Sequence, residues 1–218
     1  MTRWVILDVG ETLIDETRVW STWADHLGIP RLTFMAVLGA EIARGGQYLD
    51  VFGRFGIANW REWAASVDGE YGGFKPIDLY PDALRSMAAL RGHGYRLAVI
   101  ANQPAQRSAE LRALGVEAEV IAMSAEMEIS KPAPEFFARA LELVGSPPSG
   151  EVAYVGDRVD NDVVPAIEAG MRAVWIRRGP WGLIQQLPPG TAPTLVVDTL
   201  DELVERIDEA WPEAPDPV

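Results

Sequence analysis

Asp8 and Asp157 each stand where an apolar run gives out, the first in Val5-Ile6-Leu7-Asp8-Val9-Gly10-Glu11-Thr12-Leu13 and the second in Val152-Ala153-Tyr154-Val155-Gly156-Asp157. In an open parallel α/β sheet the carboxyl ends of the strands form the crevice where ligands bind, so two carboxylates far apart in sequence can converge there. Lys131 adds a cation and Asp162 a further acid. Like charges about 4 Å apart repel by roughly 4 kcal/mol at an effective dielectric near 20, so carboxylates gathered in this way need a cation. Mg²⁺ suits them, because it takes oxygen ligands and is often held by one or two carboxylates plus a phosphate oxygen. Asp8 and Asp157 fit that demand, and with Lys131 they read as a metal-assisted phosphoryl site. Lysine occurs only at Lys75 and Lys131, which makes a lysine in this context a specific signal.

The same residues resemble the haloacid dehalogenase-like (HAD) hydrolase superfamily over nearly the whole chain. The first motif of that family is an apolar strand followed by Asp-x-Asp-x-Thr. Its fourth, Gly-Asp-x-x-x-x-Asp, is complete here as Gly156, Asp157 and Asp162, and its third matches as Lys131-Pro132-Ala133-Pro134-Glu135-Phe136-Phe137. The resemblance implies that Asp8 is the nucleophile and forms an aspartyl-phosphate with a small phosphorylated substrate. It implies that Mg²⁺ is held by Asp8, the Gly10 carbonyl and Asp157, with Thr12 behind that arrangement and Asp162 either supporting the metal shell or orienting Lys131. Lys131 would neutralise the phosphoryl oxygens. Asn102 matches the Asn that follows the hydroxyl residue of the second motif, and its amide would donate to the phosphoryl group or shape the loop.

Two motifs depart from the family. Gly10 replaces the second Asp, the general acid/base of the phosphatases, while Glu11 stands where Gly is usual; Ala101 replaces the Ser or Thr of the second motif. General acid/base help is worth about 10²–10⁴-fold. The expected phosphoryl hydrolysis is therefore weak or specialised, unless Glu11 or a residue of the helical cap substitutes. Other readings stay open: a catalytically retired HAD-fold protein that binds a phosphorylated ligand or a partner, a haloacid dehalogenase, or a C–P bond hydrolase. Relatives with the last two activities also lack the second Asp. Dehalogenase relatives, however, lose the metal-binding acid of the fourth motif, and the C–P hydrolase uses a cap lysine, for which only Lys75 is near. An EF-hand starting at Asp157 fails, because Val159 and Asp162 stand where an oxygen ligand and a Gly are needed.

The elements that must position these groups are legible as six strand-like runs, at 4–8, 97–101, 118–122, 152–155, 173–176 and 194–198, with helical periodicity between them. That alternation predicts a doubly wound, Rossmann-like α/β fold with a parallel sheet. Pro81-Asp82 opens a helix with Leu84, Met87 and Leu90 on one broad side, and Pro132-Ala133-Pro134 opens another with Phe137, Leu141 and Val144, closed by Gly145. Residues 16–78 break the rhythm with helical patterns around Val19–Leu27, Leu32–Ala43 and Trp60–Val67. A connection that long reads as an inserted helical subdomain, the position of the cap in the HAD family. The expected division is a core of 1–15 and 79–212, a cap of 16–78 and a loose tail of 213–218, within a Pro-rich end that starts at Trp211. Trp20, Trp23, Trp60 and Trp63 read as the cap's own core. Arg18, Arg31, Arg44, Arg54 and Arg61 read as solvated charges, one of which faces the site.

Composition excludes several classes. A net charge of −13, from 32 acidic and 19 basic residues, argues against a nucleic-acid binder, which needs a basic face, and repels anionic membranes. The absence of cysteine excludes disulfides, thiolate catalysis and Cys-based metal sites. No apolar run reaches membrane-spanning length and Met1-Thr2-Arg3 leads straight into a strand, so a cytoplasmic protein is expected.

Overall fold

The computed structural model describes residues 3–47 and 49–212; the predicted tail at 213–218 lies outside them. Six strands form one parallel sheet in the order β3-β2-β1-β4-β5-β6. They are β1 (Trp4–Leu7), β2 (Arg96–Ala101), β3 (Val120–Met123), β4 (Val152–Gly156), β5 (Arg172–Ile176) and β6 (Leu195–Val197), and each overlaps one of the six runs read from sequence. The inner strands are buried on both faces, which is why they read as continuous apolar runs. Along β1, Val5 and Leu7 face one layer while Trp4 and Ile6 face the other.

The first layer holds the helix Ala83–Gly92, which contributes Ala83, Met87 and Leu90. Ser86, not Leu84, completes its buried side, and Leu84 is exposed, so the helix is rotated from the predicted face. The opposite layer holds the helix Pro134–Leu143, whose Phe136, Phe137 and Ala140 are fully buried. Trp211, read as part of a loose end, is buried instead. Its ring stacks on Tyr95 and its indole N–H donates to the Gly150 carbonyl at 2.7 Å.

After β1, and before the helix Ala83–Gly92, the described residues build four α-helices: α1 (Thr17–His26), α2 (Arg31–Ala43), α3 (Asp50–Arg54) and α4 (Trp60–Tyr71). They enclose their own apolar cluster, in which Trp20 and Trp23 of α1 meet Phe34, Leu38 and Phe52. Trp60 and Trp63 pack at its margin. The segment's two ends run side by side, with Ile14 bridged antiparallel to Leu79 and the Asp15 N–H donating to the Asp78 carbonyl at 2.7 Å. A further helix, Gly179–Ile184, follows β5 and inserts Trp181 into the same apolar cluster. Among the described residues no helix is long and apolar enough to cross a membrane.

Candidate functional site

In this strand order the chain moves from β1 to β2 and β3 on one side, then crosses to β4 on the other. The carboxyl ends of β1 and β4 therefore flank the point where the winding reverses, the position at which open α/β sheets bind ligands. Asp8 follows β1 and Asp157 follows β4, and the Asp8 N–H donates to the Val155 carbonyl at 2.9 Å, which holds the two ends together.

Carboxylate oxygens of Asp8, Asp157 and Asp162 lie within 4.8 Å of one another, and all three residues are buried. Lys131 lies between two of them, its Nζ 2.8 Å from Asp8 Oδ1 and 2.6 Å from Asp162 Oδ1. Burial disfavours the ammonium, but the Asp162 and Asp8 charges outweigh it and hold Lys131 protonated. Burial drives Asp157 the other way, well above the usual carboxylate range, and the charges of Asp162 and Asp8 add to the rise. With all three carboxylates ionised, the single ammonium would leave an excess of two negative charges, and a buried charge without a partner is costly. Asp157 Oδ2 is also buried without a hydrogen-bond partner among the described residues. An all-oxygen set, three carboxylates against one ammonium and an orphaned carboxylate oxygen fit a hard divalent cation.

Local structure explains how Asp162 reaches the group. Residues Val159–Val163 form a π-helical turn, a rare form often found at functional sites, and Asp162 Oδ2 accepts the Arg158 N–H at 3.0 Å. Position 156 must be glycine for this to fit: a Cβ there would lie 2.4 Å from Asp162 Cγ. Asp160, in the same motif, turns outward to pair with Arg158 at 2.7 Å.

The Asn102 amide is committed to the loop that carries the lysine. Its Oδ1 accepts the Lys131 N–H at 2.8 Å and its Nδ2 donates to the Lys131 carbonyl at 3.0 Å. Of the two roles the sequence allowed, this geometry serves the loop-shaping one. Ala101, at the end of β2, contributes a buried methyl to the core. Thr12 is fully buried, with no partner for its hydroxyl among the described residues, and its carbonyl accepts Arg178. It lies away from the lining of the cavity described below.

The loop after β1 is held by contacts that no motif announced. Glu11 takes a positive φ of 51° and accepts from the Tyr80 hydroxyl and from the Glu16 N–H at 3.1 Å. Arg178, buried beside Asp82 at 2.9 Å, donates to the carbonyls of Glu11 and Thr12. Gly10 faces Glu16: a Cβ at position 10 would lie 2.5 Å from Glu16 Oε1 and 2.9 Å from its Cδ. Burial and the charges of Glu11 and Asp8 push the Glu16 carboxyl up to about 8. Glu16 belongs to no motif, and its only sequence signal is an acid a short way beyond the position where one is missing.

Above this floor opens a cavity of about 1030 Å³, walled on the helical side by Trp20, Trp23, Phe52, Trp60 and Val67. The tryptophans thus serve both the cluster of α1–α4 and the cavity wall. None of the five arginines singled out in that segment lines it. Arg18 binds Asp78, Arg31 binds Asp25, Arg44 and Arg54 share Glu41, and Arg61 lies over the Trp60 ring. The arginines of the cavity are Arg107 and Arg158, both on the side of the sheet.

Known proteins match this chain in sequence and in fold. A glyceraldehyde 3-phosphate phosphatase of Methanopyrus kandleri is 32% identical over 139 residues, 62% of this chain and 59% of that protein. A phosphoserine phosphatase of Thermus thermophilus is 36% identical over 128 residues, 57% of this chain and 49% of that protein. The chain thus aligns with about half to three fifths of the length of these relatives. The structure of the HAD-hydrolase YfnB of Bacillus subtilis, bound to magnesium, superposes with a TM-score of 0.72 at 18% identity, covering 95% of this chain and 99% of the other, and shares the fold. The family model for haloacid dehalogenase-like hydrolases matches residues 2–170, a span that takes in every motif described above; the chain belongs to the haloacid dehalogenase-like hydrolases.

Proposed function

We propose that this protein is a Mg²⁺-dependent phosphatase that hydrolyses a small phosphorylated metabolite through an aspartyl-phosphate on Asp8. The observation that carries the reading is the buried trio of Asp8, Asp157 and Asp162 around a single ammonium, with Asp157 Oδ2 unpartnered. The phosphatase names of the sequence relatives and the magnesium in the Bacillus subtilis structure agree with it. Asp8, Asp157 and the Gly10 carbonyl would hold the metal, which supplies positive charge to the phosphoryl oxygens and to the nucleophile.

The chain's own residues do the rest. The Asp8 carboxylate attacks phosphorus in line, and the ester oxygen departs. Lys131 stabilises the charge on the nonbridging oxygens, the main demand of phosphoryl transfer. Asp162 and Asn102 hold Lys131, the first by its ammonium and the second by its backbone. Residues 16–78 act as a cap: the aromatic wall excludes water and presents an apolar surface to the substrate's remainder, while the carboxylate floor binds its phosphate. A halide-releasing reaction would have no use for Asp157.

A Mg²⁺-dependent screen of phosphorylated metabolites for phosphate release tests the reading. Activity should vanish with chelation and in Asp8→Asn. Release of chloride from a 2-haloacid, or no phosphate release together with no Mg²⁺ binding in the presence of a metallofluoride, would overturn it.

A further inference from the structure

We propose that Glu16 is the general acid/base of this site, standing in for the carboxylate that Gly10 lacks. The proposal rests on the phosphatase reading above and adds a residue to it. Its basis is spatial. The Glu16 carboxylate fills the volume where a side chain at position 10 would begin, with Oε1 2.5 Å and Cδ 2.9 Å from a Cβ built there. The two positions are therefore coupled: with any larger residue at position 10, Glu16 could not lie where it does.

Two further observations fix its direction. Glu16 occupies the N-cap position of α1 but makes no side-chain cap hydrogen bond, although capping its own helix is what a carboxylate there ordinarily does. Instead its side chain lines the cavity together with Asp8, Lys131 and Asp157. Its backbone is anchored, because its N–H donates to Glu11 Oε1 at 3.1 Å. Glu11, the nearer acid in sequence, is excluded from the role by its own contacts: one oxygen accepts the Tyr80 hydroxyl and the other accepts Glu16. Glu11 orients, while Glu16, hydrogen-bonded to the Trp20 side chain of the cavity wall, lines the cavity in which the substrate's leaving group would lie.

In the first half-reaction, protonated Glu16 gives its proton to the leaving oxygen as the ester P–O bond breaks and the Asp8 Oδ–P bond forms. In the second, the Glu16 carboxylate takes a proton from water as the water oxygen bonds phosphorus and the Asp8 O–P bond breaks. Inorganic phosphate is released, and both side chains return to their starting states. The first half needs little help when the leaving group is an aryl oxide; the second always needs the base.

That asymmetry supplies the test, with para-nitrophenyl phosphate and Mg²⁺ as the probe. Wild type should turn over steadily. Glu16→Gln should release about one equivalent of nitrophenolate in a burst, hold phosphate on Asp8, and then turn over roughly 10²–10⁴-fold more slowly than wild type. The double variant Gly10→Asp/Glu16→Ala, which moves the acid to position 10, should recover most of the steady rate, whereas Glu16→Ala alone should not. Mg²⁺ affinity by calorimetry should be unchanged in Glu16→Gln. The proposal is overturned if Glu16→Gln keeps the wild-type steady rate, if it loses Mg²⁺ binding, or if the double variant is no better than Glu16→Ala. A wild type that itself stops after one burst would remove Glu16 as a base while leaving Asp8 as nucleophile. A wild type with no burst, no turnover and no phosphate on Asp8 would remove the phosphatase reading, and this one with it.

Discussion

At the scale of single residues, the site depends on close approaches that only particular side chains permit. Gly156 is the clearest case, since a Cβ there would lie 2.4 Å from Asp162 Cγ and 2.6 Å from its Cβ. Gly156→Ala should push Asp162 off Lys131 and cost about 1–3 kcal/mol, the usual range for overpacking. Phosphate release should fall with it, and thermal denaturation beside a rate assay would check both. A Gly156→Ala protein with unchanged melting temperature and rate would show that Asp162 does not need its observed position. Asp157→Asn is the complementary change, removing charge while keeping size. We expect Mg²⁺ binding to be lost by calorimetry while the fold, followed by circular dichroism, is retained. The Asp8–Lys131–Asp157–Asp162 set was legible in sequence because each member sits in a motif of fixed spacing. Glu16 and Arg178 were not, because their neighbours are fixed by folding. Glu16 meets Gly10 only once the first turn of α1 folds back over the loop, and Arg178 meets Glu11 and Thr12 from a loop more than a hundred residues away.

At the scale of elements, the six strands could be read from sequence because strands covered on both faces are continuous apolar runs. The helix α3 could not, since five residues between glycine-containing turns are too short to show a helical period. Its Phe52 nonetheless packs between Trp23, at 4.7 Å centroid to centroid, and Trp60, at 5.2 Å. Phe52→Ala should therefore destabilise the helical segment by about 3–5 kcal/mol, measurable as a lowered denaturation midpoint. It should also raise KM more than it lowers kcat, because the same ring lines the cavity. A kcat loss alone would contradict that placement of the substrate. The loop after β1 depends on another element, the turn after β5, through the buried Arg178–Asp82 pair. Arg178→Ala would leave the Asp82 carboxylate buried without its guanidinium, a change that typically costs about 3–5 kcal/mol. An equally stable Arg178→Ala protein would show that the loop is held by its other contacts.

For the whole molecule, the site's uncompensated charge links stability to pH and to metal. Asp157 is raised well above its usual value of 3.8, and Glu16 is raised from 4.5 to about 8. For a carboxyl group with a raised folded-state pKa, the native protein holds more protons than the unfolded chain between the two values. The Glu16 contribution is thus greatest below about pH 4 and is lost as pH rises through about 8, and that of Asp157 falls in the same direction. Mg²⁺ binds the deprotonated carboxylates, so its stabilisation should run the other way. The gain in melting temperature on adding Mg²⁺ should be larger at pH 8 than at pH 5.5; a larger gain at pH 5.5 would contradict the charge balance described here. The most direct test of the central claim asks where phosphate goes. The protein is mixed with para-nitrophenyl phosphate and Mg²⁺, quenched, reduced with borohydride, and read by peptide mass spectrometry. The account predicts that Asp8, and no other carboxylate, is converted to homoserine, and that omitting either the substrate or Mg²⁺ abolishes the conversion. Release of phosphate with Asp8 unmodified, or with the label on another residue, would contradict it.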